Sequence, residues 1–195
     1  PEDVKPFAGK IHKEANRLQS IANDIITLSK LDNHGGEPFE LGEKVNLWNV
    51  AHSCVESLGL NASKKSISLS LEGETSAEII ANSKLLYEMI FNLVDNAIRY
   101  TESGGKVVVL VEQGSIAVKD TGIGIPEECQ SRIFERFYRV DKSRSKETGG
   151  TGLGLAIVKH IAEVLHATIH LNSIVGLGTE IKVGFTTLSK TNKVL

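Results

Sequence analysis

The chain has 195 residues, of which 41% are hydrophobic and 24% charged, and this globular composition excludes a largely disordered protein. Its formal net charge of -2, from 22 basic and 24 acidic residues, offers no electrostatic reason to expect a nucleic-acid partner. Its two cysteines form no metal or redox motif, which indicates free thiols in a reducing compartment, and no apolar run approaches membrane-spanning length.

The first predicted element is a long helix over residues 10–32, within a first segment 1–33 and after a loose entry over residues 1–9. Its apolar residues recur at spacings of three and four, close to a heptad seam. The seam consists of Ile11, Ala15, Leu18, Ala22, Ile25 and Leu28. Because such a narrow stripe cannot be buried by one helix alone, we expect a partner helix, in an incomplete bundle or a dimer. His12 is expected to be ordinary solvated surface.

Gly and Pro residues then end the helix and predict a linker over residues 34–43. Short strands and helices alternate over residues 44–188, and a tail follows over residues 189–195. The first of these elements are a strand at 44–46, a helix at 47–62, and strands at 67–71 and 78–81. Asn82 or Ser83 can cap the helix that comes next.

That next helix carries the stretch 92–101. Asn92 and Asn96 lie four residues apart and therefore stack on one side of the helix, and Asp95 and Arg99 form a second such pair beside them. Two amides one turn apart are an unusual way to build a core, but they can offer oxygens to a hydrated Mg²⁺ and a phosphate. The stretch alone leaves open that they are ordinary surface amides.

A predicted hairpin, with strands at 106–112 and 115–119, leads directly into Asp120, Gly122 and Gly124. A carboxylate followed by two glycines at a strand end permits close approach of the backbone to a flat ligand. A glycine turn with a capping aspartate is the structural alternative.

Residues 127–149 are predicted to be irregular, with aromatic residues first and a basic polar run at 141–149. A loop this long is usually a functional lid or disordered, and its basic residues indicate attraction to phosphate. A solvated loop over a small hydrophobic cluster is the alternative.

A glycine-rich turn at 149–155 then opens a helix at 156–165. Such a turn at the N-terminus of a helix is a ready anion site. Two last strands are predicted at 168–172 and 179–185.

The sequence contains no P-loop motif and no Gly-x-Gly-x-x-Gly dinucleotide fingerprint. It also lacks the catalytic-loop and Asp-Phe-Gly signatures of protein kinases. An amide helix, an Asp-Gly-x-Gly strand end, a basic lid and a glycine turn together indicate a nucleotide-phosphate site with a lid.

Four motifs resemble, in order and spacing, the N, G1, F and G2 boxes of bacterial sensor histidine kinases, with the phosphate-response sensors as the nearest subgroup. They occupy residues 92–96, 120–124, 134–138 and 150–154. Each motif alone is weak, but four in order are highly specific. The resemblance covers about residues 40–188 as an ATP-binding catalytic domain, and residues 10–32 resemble the second helix of the dimerisation and phosphotransfer hairpin. It implies a Bergerat-type α+β two-layer sandwich, with helices on one face of a mixed sheet and a long N-terminal helix.

The resemblance also implies roles in binding Mg-ATP. Asn92 would hold Mg²⁺, and Asp120 would accept a hydrogen bond from the adenine amino group. Gly122 and Gly124 would lie at the adenine end, with Tyr100 against the ring. The phosphates would meet Asn96, Arg99 and Arg139, and Gly150, Thr151, Gly152, Leu153 and Gly154 would close over the phosphate tail. Thr179 would support the adenine end through Asp120 or a water.

The phosphoacceptor of this family lies in a His-Glu-x-x-Thr-Pro motif, and no histidine here has that context, since Lys-Glu-Ala-Asn follows His12. With Pro1 as the first residue, we expect the acceptor helix to be missing. The chain is therefore expected to donate the γ-phosphoryl group to a histidine supplied in trans. The implied partners are the acceptor-histidine helix of the parent kinase, a response regulator and a second copy in the intact parent, itself anchored in the cell membrane with this domain in the cytoplasm.

Two other functions stay open. ATPases of the gyrase and chaperone type carry a water-activating glutamate four residues before the second asparagine. Asn92 stands at that position and cannot act as a base, and Glu88 is a full turn further away, which argues against hydrolysis. A nucleotide-binding regulatory module without kinase activity is the third interpretation.

Overall fold

The computed structural model describes residues 4–32, 43–140 and 150–185. The predicted linker apart from Glu43, the basic run at 141–149 and the tail at 189–195 lie outside these residues. The described helices are α1 (Val4–Asp32), α2 (Leu47–Lys64), α3 (Ser83–Tyr100), α4 (Glu127–Gln130) and α5 (Gly154–Val164). The described strands are β1 (Glu43–Asn46), β2 (Ser68–Gly73), β3 (Glu78–Ala81), β4 (Lys106–Glu112), β5 (Ser115–Asp120), β6 (Ala167–Ile174) and β7 (Gly178–Phe185).

Five of the strands form one mixed sheet in the order β2-β4-β5-β7-β6. The β2–β4 pair is parallel and the other pairs are antiparallel. β1 and β3 form a separate antiparallel pair. The predicted β4–β5 hairpin is confirmed, with Glu112 opposite Ser115 and Gly114 at φ 76° in the turn. Helices α2, α3 and α5 pack against the sheet, which confirms the predicted α+β sandwich.

Helix α3 lies between α2 and α5 and supplies much of the core. The Asn82 side chain caps its N-terminus by accepting the backbone N–H groups of Lys84 and Leu85. The apolar residues of α3 recur at spacings of three and four and form a buried face, in which each buried Leu, Ile, Val or Met side chain contributes about 1.5–3 kcal/mol. Its members are Leu86, Met89, Ile90, Leu93, Val94, Ala97 and Ile98. This burial orients the polar residues of α3 away from the sheet.

Helix α1 begins at Val4, so the prediction of a loose entry up to residue 9 is wrong from that residue onward. Pro6 does not prevent this, because the first turn of a helix requires no hydrogen bond from the backbone N–H that proline lacks. The predicted seam is covered only at its end, where α1 packs against α5. Leu28 is 4% exposed, whereas Leu18 is 60% exposed.

Smaller differences concern the ends of elements. α5 begins two residues earlier than predicted, and β6 extends over Ala167–Ile174 instead of 168–172. A short helical turn, α4, lies at the start of the segment predicted to be irregular. Among the described helices, none combines the length and apolar character needed to cross a bilayer.

Candidate functional site

A cleft of about 710 Å³ lies between α3, the segment after β5, the glycine turn before α5, and α1. The structure brings all the predicted site residues except Gly122 and Leu153 to its wall. Those lining residues are Asn92, Asn96, Arg99, Tyr100, Asp120, Gly124, Arg139, Gly150, Thr151, Gly152, Gly154 and Thr179. Residues from distant parts of the sequence therefore meet in one cavity.

Asp120 forms the polar wall at one end of the cleft and is only 9% exposed. Its Oδ1 accepts the backbone N–H of Gly122 at 2.8 Å and that of Thr179 at 3.3 Å. Burial raises the pKa of this carboxyl, and the two backbone hydrogen bonds oppose that rise. Neither bond from these described residues uses Oδ2, so this oxygen retains its capacity to accept a donor from a ligand.

Thr179 reaches Asp120 through its backbone and not through its side chain. Its hydroxyl lies 2.8 Å from the hydroxyl of Ser173, which also accepts the backbone N–H of Ile125 at 2.9 Å. This hydrogen bonding ties the end of β6 to the segment after β5. Thr179 thus helps to hold the wall that carries Asp120.

The glycines after Asp120 are required by the packing of the protein's own backbone. A Cβ on Gly122 would lie 2.5 Å from the carbonyl oxygen of Tyr100. Gly124 has φ +69°, and a Cβ there would lie 2.1 Å from the carbonyl oxygen of Ile174. Glycine is therefore needed at both positions because backbone segments pack closely against one another, in addition to any approach of a ligand.

The amide pair of α3 faces the start of α5. Asn92 donates from Nδ2 to the backbone oxygen of Glu88 at 2.9 Å, which orients its Oδ1 toward Gly154. A Cβ on Gly154 would lie 2.9 Å from that Oδ1 and 3.6 Å from Nδ2 of Asn96. The glycine therefore leaves room for both amides at the wall of the cleft.

Two guanidinium groups converge on the glycine turn. A Cβ on Gly150 would lie 3.6 Å from a guanidinium nitrogen of Arg99 and at the same distance from one of Arg139. Arg99 also forms the predicted pair with Asp95, with Nη2 2.7 Å from Oδ2. These cations make one end of the cleft suitable for an anion.

The turn itself is held from two sides. The carbonyl of Gly152, at φ +74°, accepts the backbone N–H of Phe137 at 2.8 Å, and the Thr151 hydroxyl accepts the N–H of Leu153 at 3.1 Å. The Leu153 side chain is fully buried, so any contact of this residue with a ligand would come from its backbone. As the N-cap of α5, Leu153 makes no side-chain capping bond, and the dipole of α5 favours an anion there.

Several polar residues of the cleft wall were not among the predicted site residues, and they include Ser20, Asp24, Lys65 and Glu88. The pKa of Asp24 is raised chiefly by burial, against a hydrogen bond from Thr151. The pKa of Glu88 is raised by burial and by the charge of Asp24, against a hydrogen bond from Asn92. No spacing in the sequence relates α1 to the glycine turn, so no local signal predicted Asp24 at this site.

The donor set suits a sparsely ligated Mg²⁺. No group of three His, Cys, Asp or Glu residues able to hold a metal ion occurs in the described part of the chain. Mg²⁺ usually keeps several waters and takes one or two protein oxygens plus phosphate. The Asn92 Oδ1, placed beside a glycine at the cleft wall, fits that requirement.

Comparison with known proteins places residues 81–189 within the profile of the family "Histidine kinase-, DNA gyrase B-, and HSP90-like ATPase". The sensor-like histidine kinase SenX3 of Mycolicibacterium smegmatis is 39% identical over 183 residues, which cover 92% of this chain and 47% of that protein. The phosphate regulon sensor protein PhoR of Pseudomonas aeruginosa is 34% identical over 188 residues, or 91% and 42% of the two chains. The chain thus spans less than half the length of these relatives.

A solved structure supports the same likeness. The mycobacterial sensor histidine kinase MprB superposes with a TM-score of 0.63 at 26% identity. The match covers 74% of this chain and 96% of that structure.

Proposed function

Since the chain belongs to the family of histidine kinase-, DNA gyrase B- and HSP90-like ATPases, as the catalytic domain of a bacterial two-component sensor kinase, we propose that its cleft binds Mg-ATP. We further propose that it donates the γ-phosphoryl group to a histidine of a sensor kinase. We also propose that the parent kinase forms a homodimer, is anchored in the cell membrane and acts with a response regulator.

One observation carries the nucleotide assignment, which is the buried carboxylate of Asp120. Its Oδ1 is already occupied by two backbone donors, and the carboxylate lines the cleft. A buried acceptor with spare capacity favours a ligand that brings an N–H donor. The exocyclic amino group of adenine is such a donor, whereas the corresponding oxygen of guanine would face the carboxylate unfavourably.

The other end of the cleft suits the phosphates. Arg99, Arg139 and the N-terminus of α5 supply positive charge around the glycine turn, and Asn96 lies beside them. Asn92 is the residue we propose to hold Mg²⁺. When bound, the ion neutralises charge on the phosphate oxygens.

Transfer needs chiefly that the γ-phosphate and an acceptor nitrogen be aligned. The bond from γ-phosphorus to its bridging oxygen breaks, a phosphorus–nitrogen bond forms on the histidine, and ADP leaves. Because no histidine of this chain lies in the acceptor motif, we propose that the acceptor belongs to a helix supplied in trans.

Calorimetric titration of this chain with Mg-ATP and Mg-GTP tests the assignment. Asp120→Ala should abolish measurable ATP binding, whereas unchanged affinity in a folded variant would overturn the site. Asp120→Asn keeps an acceptor for Gly122 and Thr179 and serves as the structural control.

In a second assay, γ-labelled ATP and a supplied dimerisation hairpin should give acid-labile label on the hairpin. If the label appeared on this chain when it is incubated without the hairpin, the proposal that the acceptor is supplied in trans would be contradicted.

ATP hydrolysis remains a second candidate because of Glu88. Its carboxylate lines the cleft beside Asn92, and burial raises its pKa, as suits a general base. Release of free phosphate by the wild type that is lost in Glu88→Gln would favour this function over transfer to histidine.

A further inference from the structure

The last turn of α3 ends directly at the cleft, and all of its terminal carbonyl groups are hydrogen-bonded. The last four carbonyls of a helix have no partner within the helix itself. The carbonyl of Ala97 accepts both the N–H and the hydroxyl of Thr101, at 3.0 and 2.7 Å. That of Tyr100 accepts the N–H of Ile123 at 3.2 Å. The two carbonyls between them depend on a side chain from elsewhere.

That side chain is Lys65. Its ammonium group donates to the carbonyl of Ile98 at 2.9 Å and to the carbonyl of Arg99 at 2.6 Å. Its own backbone is fixed as the C-cap of α2, where its N–H donates to the carbonyls of Ala62 and Ser63. Lys65 therefore joins the end of α2 to the end of α3, and it also lines the cleft.

The electrostatic consequence follows from the direction of α3. The C-terminus of a helix carries a partial negative charge of about half an elementary charge, so a phosphate prefers the opposite end. Yet α3 presents its C-terminal turn, with Asn96, Arg99 and Tyr100, to the cleft. An anionic ligand there would be repelled unless a cation offsets that terminus.

We propose that Lys65 is a positioning residue for the phosphates of the nucleotide: it neutralises the C-terminus of α3 and fixes the backbone that carries Arg99. This inference rests on the proposed nucleotide function. It assigns Lys65 an indirect role, because its ammonium group is occupied by two carbonyls and acts through the residues of that turn. Burial and the charge of Arg99 lower the Lys65 pKa, against the charge of Glu102, which raises it.

The test compares the affinities of adenosine, ADP and Mg-ATP, measured by calorimetry, in variants of this chain. Lys65→Met should weaken Mg-ATP binding about tenfold, as expected for a partly buried charge at a helix terminus, and adenosine binding much less. Lys65→Arg should retain near wild-type affinity because it keeps the cation. Lys182→Met is the matched control, since Lys182 is paired with Glu112 away from the cleft.

Lys65→Gln covers the case in which Lys65→Met does not fold, because its amide can still donate to a carbonyl while the charge is lost. A folded Lys65→Gln should lose Mg-ATP affinity, with adenosine affinity kept. Equal loss for adenosine and Mg-ATP, or no loss at all, would overturn the proposal. A wild type that binds no nucleotide would instead contradict the proposed function itself.

Discussion

Nη2 of Arg136 lies 2.7 and 2.8 Å from the two carboxylate oxygens of Asp32, which joins the end of α1 to the segment between α4 and α5. Nε2 of His160, on α5, lies 3.0 Å from the same carboxylate. The Arg136 guanidinium holds the pKa of Asp32 below its usual range. Because α1 also brings Asp24 to the cleft wall, this ionic contact holds α1 beside the candidate nucleotide site.

Replacement of Asp32 by Asn should loosen the end of α1 without unfolding the sheet, because the ion pair is exposed. Hydrogen exchange measured by mass spectrometry should show faster exchange over residues 21–32. Because folding lowers the pKa of Asp32, its ionised carboxylate contributes to the stability of the folded state above pH 3.8, the ordinary pKa of this group. This contribution is lost as the pH falls below that value. Glu78→Gln, which breaks the exposed pair with Lys44, is the control. Unaltered exchange in Asp32→Asn would show that apolar packing alone holds α1.

Replacement of Asp24 by Asn should tighten Mg-ATP binding, because a carboxylate at this end of the cleft repels phosphate. The expected gain is about fivefold, which corresponds to the repulsion of about 1 kcal/mol between two like charges about 4 Å apart in water, and adenosine binding should be unaffected. Calorimetry provides the measurement, and Glu14→Gln, at an exposed position of the same helix, is the control. Weaker Mg-ATP binding in the variant would identify Asp24 as a favourable contact of the metal-bound nucleotide.

Replacement of Asn92 by Ala should weaken ATP binding about tenfold in the presence of Mg²⁺, the loss expected for one polar contact to a charged group. With Mg²⁺ removed by a chelator, the variant and the wild type should bind ATP about equally. Asn49→Ala removes an exposed amide of α2 and provides the comparison. An equal loss with and without the metal would argue against the proposed role of Asn92.

Replacement of Gly124 by Ala should destabilise the fold more than the same change at Gly176. Both glycines have a positive φ, which costs alanine about 1–2 kcal/mol. A Cβ at Gly176 meets nothing within 4 Å, whereas one at Gly124 would lie 2.1 Å from the Ile174 carbonyl, and such overpacking adds about 1–3 kcal/mol. Urea unfolding measures the difference. Equal destabilisation would mean that the backbone around Gly124 can shift.

The two cysteines should differ in reactivity towards a thiol reagent, with Cys54 protected in the folded protein. Cys54 is buried, and burial raises the pKa of its thiol to about 12. The folded state therefore keeps a proton that the unfolded chain loses. The contribution of the Cys54 thiol to the stability of the folded state is complete below pH 9.0, the ordinary pKa of this group, and declines as the pH rises towards 12. In Cys54→Ala that part of the alkaline decline in stability should disappear, and labelling of Cys129 should continue. Rapid labelling of Cys54 without unfolding would contradict this account.

Much of the fold was predictable because the relevant signals are local. The apolar spacing of α3, the Gln113-Gly114 turn and the glycine turn before α5 act over a few residues, and the periods of helix and strand express them directly. The resemblance of the four motifs to a known family also named site residues that, apart from Gly122 and Leu153, lie at the cleft wall. The assignment of Asn92 to Mg²⁺ and of Asp120 to adenine stays a prediction.

The sequence by itself determined the elements, the apolar faces and the polar motifs, because each depends on neighbours along the chain. Only the tertiary structure decided that Asp24 and Lys65 reach the cleft, that the Thr179 backbone supports Asp120, and that Asp32 is bound by Arg136. These contacts join residues that are distant in sequence, and they arise when burial of the α3 face and of the end of α1 brings separate elements together. Hydrophobic packing is non-directional and leaves no local pattern that identifies such partners.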